Sequence, residues 1–271
     1  MIPVPLLLAA RCFVGLALAA LFHRCALPHG NGAPIDSAHF TQTGGGTSVA
    51  APGDLELEFD YDHHPGETLA TGVGLVVGLP HRNELSVAWS PYAVMSRPGP
   101  DARSAGDASF SLRNQLLAPS ESTPGWSLEV GTHLAAGEVG HSRGEGASDL
   151  YAATAVAQSY GAHTWTGYYE LLLAEATGDG ATLAEHVAAV QWARLLQPQL
   201  SSYVEGIGVV GAPADLSGTY LGAGLAWQVH ARLALEAGVL FGLGGDSEDF
   251  RFLIGATTLL AQLGKIGLGG F

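Results

Sequence analysis

The chain has 271 residues, 47% of them hydrophobic and only 13% charged, where an average soluble domain is roughly a quarter charged. Eleven Lys and Arg stand against 25 Asp and Glu, a net charge of −14, so no basic patch exists to displace counterions from phosphates and nucleic acid is excluded as a partner. The two cysteines, Cys12 and Cys25, both fall near the N-terminus, which removes a disulfide framework, a thiolate metal site and a cysteine nucleophile from everything that follows.

Residues Leu6 to Phe22 form an apolar run followed by small and polar residues, and residues 1–27 are expected to be a secretory signal peptide even though no basic residue precedes the run and Arg11 interrupts it. The residues before Cys25, Phe22-His23-Arg24, lack the small-residue pattern of a lipidation signal. Residues 28–52, rich in Gly, Thr and Pro, read as a linker or strap. The remainder, 53–271, contains no run of the ~20 apolar residues that a spanning helix requires.

Asp54 to Tyr61 alternates acid and apolar side chain throughout, so as a strand it presents four carboxylates on one face and Leu55, Leu57, Phe59 and Tyr61 on the other. Weaker versions of the same period follow at 68–79, 84–92, 107–117, 125–135, 149–159, 163–174, 187–196, 200–210, 218–229, 232–243 and 250–260. With the first that makes about twelve strands, an even number. Pro80-His81-Arg82-Asn83, 160–162, 197–199 and His230 are short connections; 96–106, 137–148, 176–186, 211–217 and 244–249 are long ones. Short turns at one end and long loops at the other match an all-β, transmembrane, up-and-down antiparallel barrel.

Two-residue spacing assigns one polar face to the interior. Its expected pore-lining residues are Asp54, Glu56, Glu58, Asp60, Arg113, Glu129, Tyr168, Glu170, Tyr203, Glu205, Arg232 and Glu236, accompanied by Ser109, Ser111, Gln115, Ser127, His133, Thr164, Thr166, Ser201, Tyr220 and Gln228. The opposite faces carry Phe110/Leu112, Trp126/Leu128/Val130, Leu221/Leu225/Trp227 and Leu233/Leu235/Val239/Phe241, as lipid contact demands. Trp89, Trp126, Trp192 and Trp227 lie toward strand ends, where they suit either an aromatic girdle or ordinary packing.

Motifs for chemistry are missing: there is no nucleophile elbow, no Gly-rich phosphate cradle and no zinc-helix spacing. His63-His64 cannot face one metal from a strand, because neighbours point to opposite sides. Ser127, Glu129 and His133 share a face, yet Cβ atoms ~7 Å apart along a strand do not make a Ser-His-acid relay. No enzyme, cofactor or metal is expected.

Gly106-Asp107-Ala108-Ser109-Phe110-Ser111-Leu112-Arg113 resembles the Gly-Asp-x-x-(apolar)-x-(apolar)-Lys/Arg strand of the outer-membrane transporter family linked to phenol meta-pathway degradation. Residues 125–172 follow that family's order: a strand into a Gly-rich loop, Gly146-Ala147-Ser148-Asp149, a strand ending Ser159-Tyr160-Gly161, and an aromatic strand with Tyr168-Tyr169. The Pro-Thr-Gly often found where strand meets loop is replaced by Ala135-Ala136-Gly137. The terminal Phe271 is similar to the aromatic end read by the barrel-assembly machinery. The resemblance implies the barrel fold and the bacterial outer membrane; the function expected of such a barrel is that of a channel or transporter for passive passage of small, hydrophobic or aromatic, molecules. Outer-membrane lipid, lipopolysaccharide, the assembly machinery and a small solute are the expected partners. A structural or adhesive barrel without transport is the alternative, and a rim-located hydrolase a third.

Overall fold

The computed structural model describes residues 46–64, 68–95, 102–104, 108–120, 122–134, 149–175, 182–211, 217–245 and 250–263. The expected signal peptide, most of the strap, the long loops and Phe271 therefore lie outside the described residues. Within them, alternating apolar and polar positions, rich in Val, Leu, Thr, Tyr and Trp, form strands at β1 (Asp54–His64), β2 (Thr68–Leu79), β3 (Asn83–Met95), β4 (Ala102–Ser104), β5 (Ala108–Leu117), β6 (Gly125–Leu134) and β7 (Asp149–Tyr160). They continue at β8 (His163–Glu175), β9 (Thr182–Gln197), β10 (Leu200–Gly211), β11 (Gly218–His230), β12 (Leu233–Gly245) and β13 (Phe250–Gln262).

Every pairing is antiparallel, and apart from the three-residue β4 each strand has a neighbour on both sides. β1 pairs with β2 and β13, β2 pairs with β3, and β3 continues to β5. The sheet thus closes on itself as a barrel of twelve strands, with β4 a short addition beside the end of β3. Closure leaves no open sheet edge among the twelve.

Register fixes which way each side chain points. Glu84, Arg113, Glu129 and Ala153 stand side by side on four consecutive strands, and so do Ile207, Tyr220 and Gly242. This face points inward and is buried despite its chemistry: Glu84 is 1% exposed and Glu205 2%. The opposite face is apolar and bare, with Trp227 at 50% and Val190 at 57%. Polarity is therefore the reverse of a soluble domain.

The expected twelve antiparallel strands hold, and three details differ. β9 starts at Thr182 instead of 187, because Thr182 pairs with Glu175 and Glu185 with Leu172, which shortens the loop. β4 went unpredicted because three residues carry no readable period. Arg232, expected on an inward strand face, lies exposed in the turn between β11 and β12, one residue before the strand starts.

Candidate functional site

The inner wall is the candidate site, and two polar groups stand on it. The first is built on β3, β5, β6, β7 and β8. Arg113 donates through Nε to Glu129 Oε2 at 2.8 Å and places Nη2 2.7 Å from the same oxygen, while Nη1 lies 3.6 Å from Glu84 Oε1. Tyr151 donates its hydroxyl to Glu129 Oε1 at 2.8 Å, and Tyr168 donates to Glu170. Two carboxylates share one guanidinium, so removal of Arg113 would leave buried charge uncompensated.

The second group is built on β1, β10, β12 and β13. Glu56, Glu58 and Asp60 face inward, with Asp62 bound to Arg251 at 2.9 Å. Tyr203 donates to Glu236, and Glu205 stands two residues further along β10. Small residues make room for these side chains. A Cβ on Gly224 would fall 2.4 Å from the Tyr203 ring, one on Gly131 2.4 Å from Tyr151, and one on Gly72 on top of the Asp60 carboxylate. Large inward groups are thus laid along the wall across glycines.

Of the expected lining residues, Glu56, Glu58, Asp60, Arg113, Glu129, Tyr168, Glu170, Tyr203, Glu205 and Glu236 occupy inward positions, and Asp54 opens β1 at the short-turn rim. Arg232 does not join them. The structure adds Glu84, Tyr151 and Asp62 to the polar wall, and Arg251, expected to counter the Asp54 to Asp60 row, pairs with Asp62 there. Tyr151 was hidden because alanines dominate β7 and leave its register unreadable. Asp62 sits just beyond the strand limit that the sequence suggested.

The interior also holds a patch that the two-residue spacing left unassigned: Val187, Ala189, Ile207, Val209, Leu240 and Leu253, with the expected Tyr220, form an inward apolar cluster on β9 to β13, nearer the long-loop end. Sequence alternation could not reveal it, because both faces of these strands are apolar there.

Residues 46–52 run along the inner wall at the short-turn end. The Ala50 amide donates to Glu84 Oε2 at 2.7 Å, and Gln115 Nε2 donates to the Thr47 carbonyl at 2.8 Å. A Cβ on Gly78 would strike the Ala51 carbonyl, and one on Gly125 would meet Thr47 Oγ1. Glycine at both positions is a condition for this strap to lie where it does. The Ser127 hydroxyl points to the Gly46 carbonyl at 3.5 Å, Glu129 is held by Arg113 and Tyr151, and His133 stacks on Tyr151 at 5.1 Å. Those contacts are not a nucleophile-base-acid chain.

No family model matches the chain, and no curated protein matches it. Solved structures do. The COG4313 outer membrane channel from Pseudomonas putida F1 superposes with a TM-score of 0.58 at 12% identity, covering 79% of this chain and 98% of that one. The NanC porin gives 0.55 at 8% identity, over 76% of this chain and 100% of that one, and the KdgM porin 0.52 at 9%, over 76% and 99%. The chain has the fold of these barrels.

Proposed function

We propose that the chain is a bacterial outer-membrane channel for passive passage of small, hydrophobic or aromatic solutes. The observation that carries this reading is the reversed polarity of a closed barrel, with carboxylates, Arg113 and Arg251 inside and Trp, Leu, Val and Phe outside. In a bilayer that arrangement satisfies every requirement at once, since closure pairs the backbone groups and the apolar face meets hydrocarbon. The porins and the channel of like fold support it. So does the resemblance of residues 106–113 and 125–172 to the phenol meta-pathway family; membership of that family is part of the proposal.

The apolar cluster around Ile207 and Leu240 supports the choice of solute: beside Asp62 and Arg251 it gives the inner wall an apolar patch that a hydrophobic solute can touch. The acid belt disfavours anions. Lipopolysaccharide contact through the acidic loops and assembly by the outer-membrane machinery belong to the same reading.

The test is planar-bilayer conductance of the chain from residue 28, folded into detergent and shown to be heat-modifiable in gels. Discrete cation-favouring steps are expected, with the cation preference reduced about twofold or more by Glu56→Gln/Glu58→Gln. A chain that stays soluble without detergent would overturn the membrane setting. A folded but silent barrel would favour the second reading, a structural or adhesive barrel, for which the strap on the inner wall is the specific support.

A further inference from the structure

The wall facing lipid carries a feature that transport does not explain. Among the described residues of the twelve barrel strands, Arg194 on β9 is the one Lys or Arg at an outward position. It is exposed, two residues beyond Trp192 and three before the end of β9. Its cross-strand partner is His163, whose ring stacks on Trp192 at 5.5 Å with planes 15° apart, and Trp165 lies against the same Trp192 at 6.4 Å.

A guanidinium on the outer wall costs about 2–4 kcal/mol at the bilayer midplane and about 0–1 near the interface. Its place near the short-turn end, among rings of the type that collect at headgroup level, sets it at the interface. Resting on the membrane reading above, we infer that Arg194 and its ring neighbours bind the phosphate headgroup of an anionic phospholipid in the leaflet at the short-turn end.

Charge complementarity chooses this occupant. Farther along the same rim, the β11–β12 connection exposes His230 and Arg232. The acids of the intervening strands point the other way: Glu205 and Glu236 are inward and buried. The loops at the opposite end contain Asp179, Asp215, Asp246, Glu248 and Asp249. Acids outnumber Arg97, Arg103 and Arg143 at that end, whereas at the short-turn end Arg194, His230 and Arg232 lie on the outside of the barrel. A guanidinium fork takes two phosphate oxygens, and indole faces take the glycerol and upper acyl region.

The experiment uses the full exported chain, purified folded in detergent and mixed with equimolar phosphatidylglycerol and phosphatidylcholine, with retained lipid counted by native mass spectrometry. Phosphatidylglycerol is expected to be retained about fivefold over phosphatidylcholine, the ratio that ~1 kcal/mol per basic group produces. Arg194→Gln should remove most of that preference and Arg194→Lys should keep much of it, while Arg103→Gln, on β4 at the opposite rim, should leave it unchanged. Heat-modifiability of each variant reports folding, and Arg232→Gln gives a second, smaller loss if Arg194→Gln folds poorly. Equal retention of the two lipids by the unaltered chain, or a preference untouched by Arg194→Gln, overturns the inference and leaves the channel reading standing. A chain that folds without detergent or lipid overturns both.

Discussion

Glycine at position 131 is what allows Tyr151 to lie along the wall and reach Glu129. The Cβ of even an alanine there would sit 2.4 Å from the tyrosine ring, so Gly131→Ala should destabilise the barrel by about 1–3 kcal/mol, the usual cost of overpacking. Tyr151→Ala frees that space while losing the bond to Glu129, so the double variant should cost clearly less than the sum of the two. Urea midpoints of the gel-shift transition in detergent would read this coupling. At this scale the sequence was most legible where acids alternate with large apolar groups, as from Asp54 to Asp60. It was least legible where both faces carry the same chemistry. Ile207 and Val209 face inward and Val204 and Val210 outward, yet nothing in a run of aliphatic residues distinguishes oil inside from oil outside.

Between β2 and β3 the chain turns on Pro80, His81 and Arg82, and both His81 and Arg82 have φ of 61°, the left-handed region that suits glycine. Such residues cost roughly 1–2 kcal/mol each, and the turn is held by its neighbours. Asn83 Nδ2 donates to the Pro80 carbonyl at 2.9 Å, and Asn114 Nδ2 lies within 3.4 Å of the His81 and Arg82 carbonyls and 2.9 Å from Asn83 Oδ1. His81→Gly should therefore raise stability by about 1 kcal/mol, and Asn114→Ala should lower it by about 1–3 kcal/mol by leaving those acceptors unmet. Opposite shifts in the same urea transition would check the pair. The turn's position was readable from its proline and asparagine; its handedness was not, since neither His nor Arg announces a positive φ. Strand ends were legible to within a few residues except at β9, where alanine occurs in both loop and strand.

For the molecule as a whole, strand number followed from the period and the turn residues, but the expected alternation of short and long connections is broken by 65–67, short at the long-loop end, and by 118–124, long at the other. The path of residues 46–52 was not legible, because a segment of mostly small residues has no pattern that says which surface it lies on. Glu84 joins that segment to the wall by accepting from Ala50 while facing Arg113. A hydrogen bond to a charged group contributes about 1.5–3 kcal/mol, so Glu84→Ala should raise the population of released strap about tenfold or more, read as longer or larger conductance steps in bilayers. Unchanged conductance would mean that the strap does not limit passage.

The seam between β1 and β13 has a further consequence, for the order of folding. Gly53 accepts a bond from Leu263 at 2.6 Å and donates to Gly78 at 2.8 Å, so the residue that opens the barrel is tied to the residue that ends it and to its own hairpin partner. Before the last strand arrives, β1 and β12 both present unpaired N–H and C=O groups, and any shorter product keeps two such edges. A chain cut before Phe250 would then not be an eleven-stranded barrel. It would be an open sheet, unable to cross hydrocarbon alone and prone to join its edges to those of another copy.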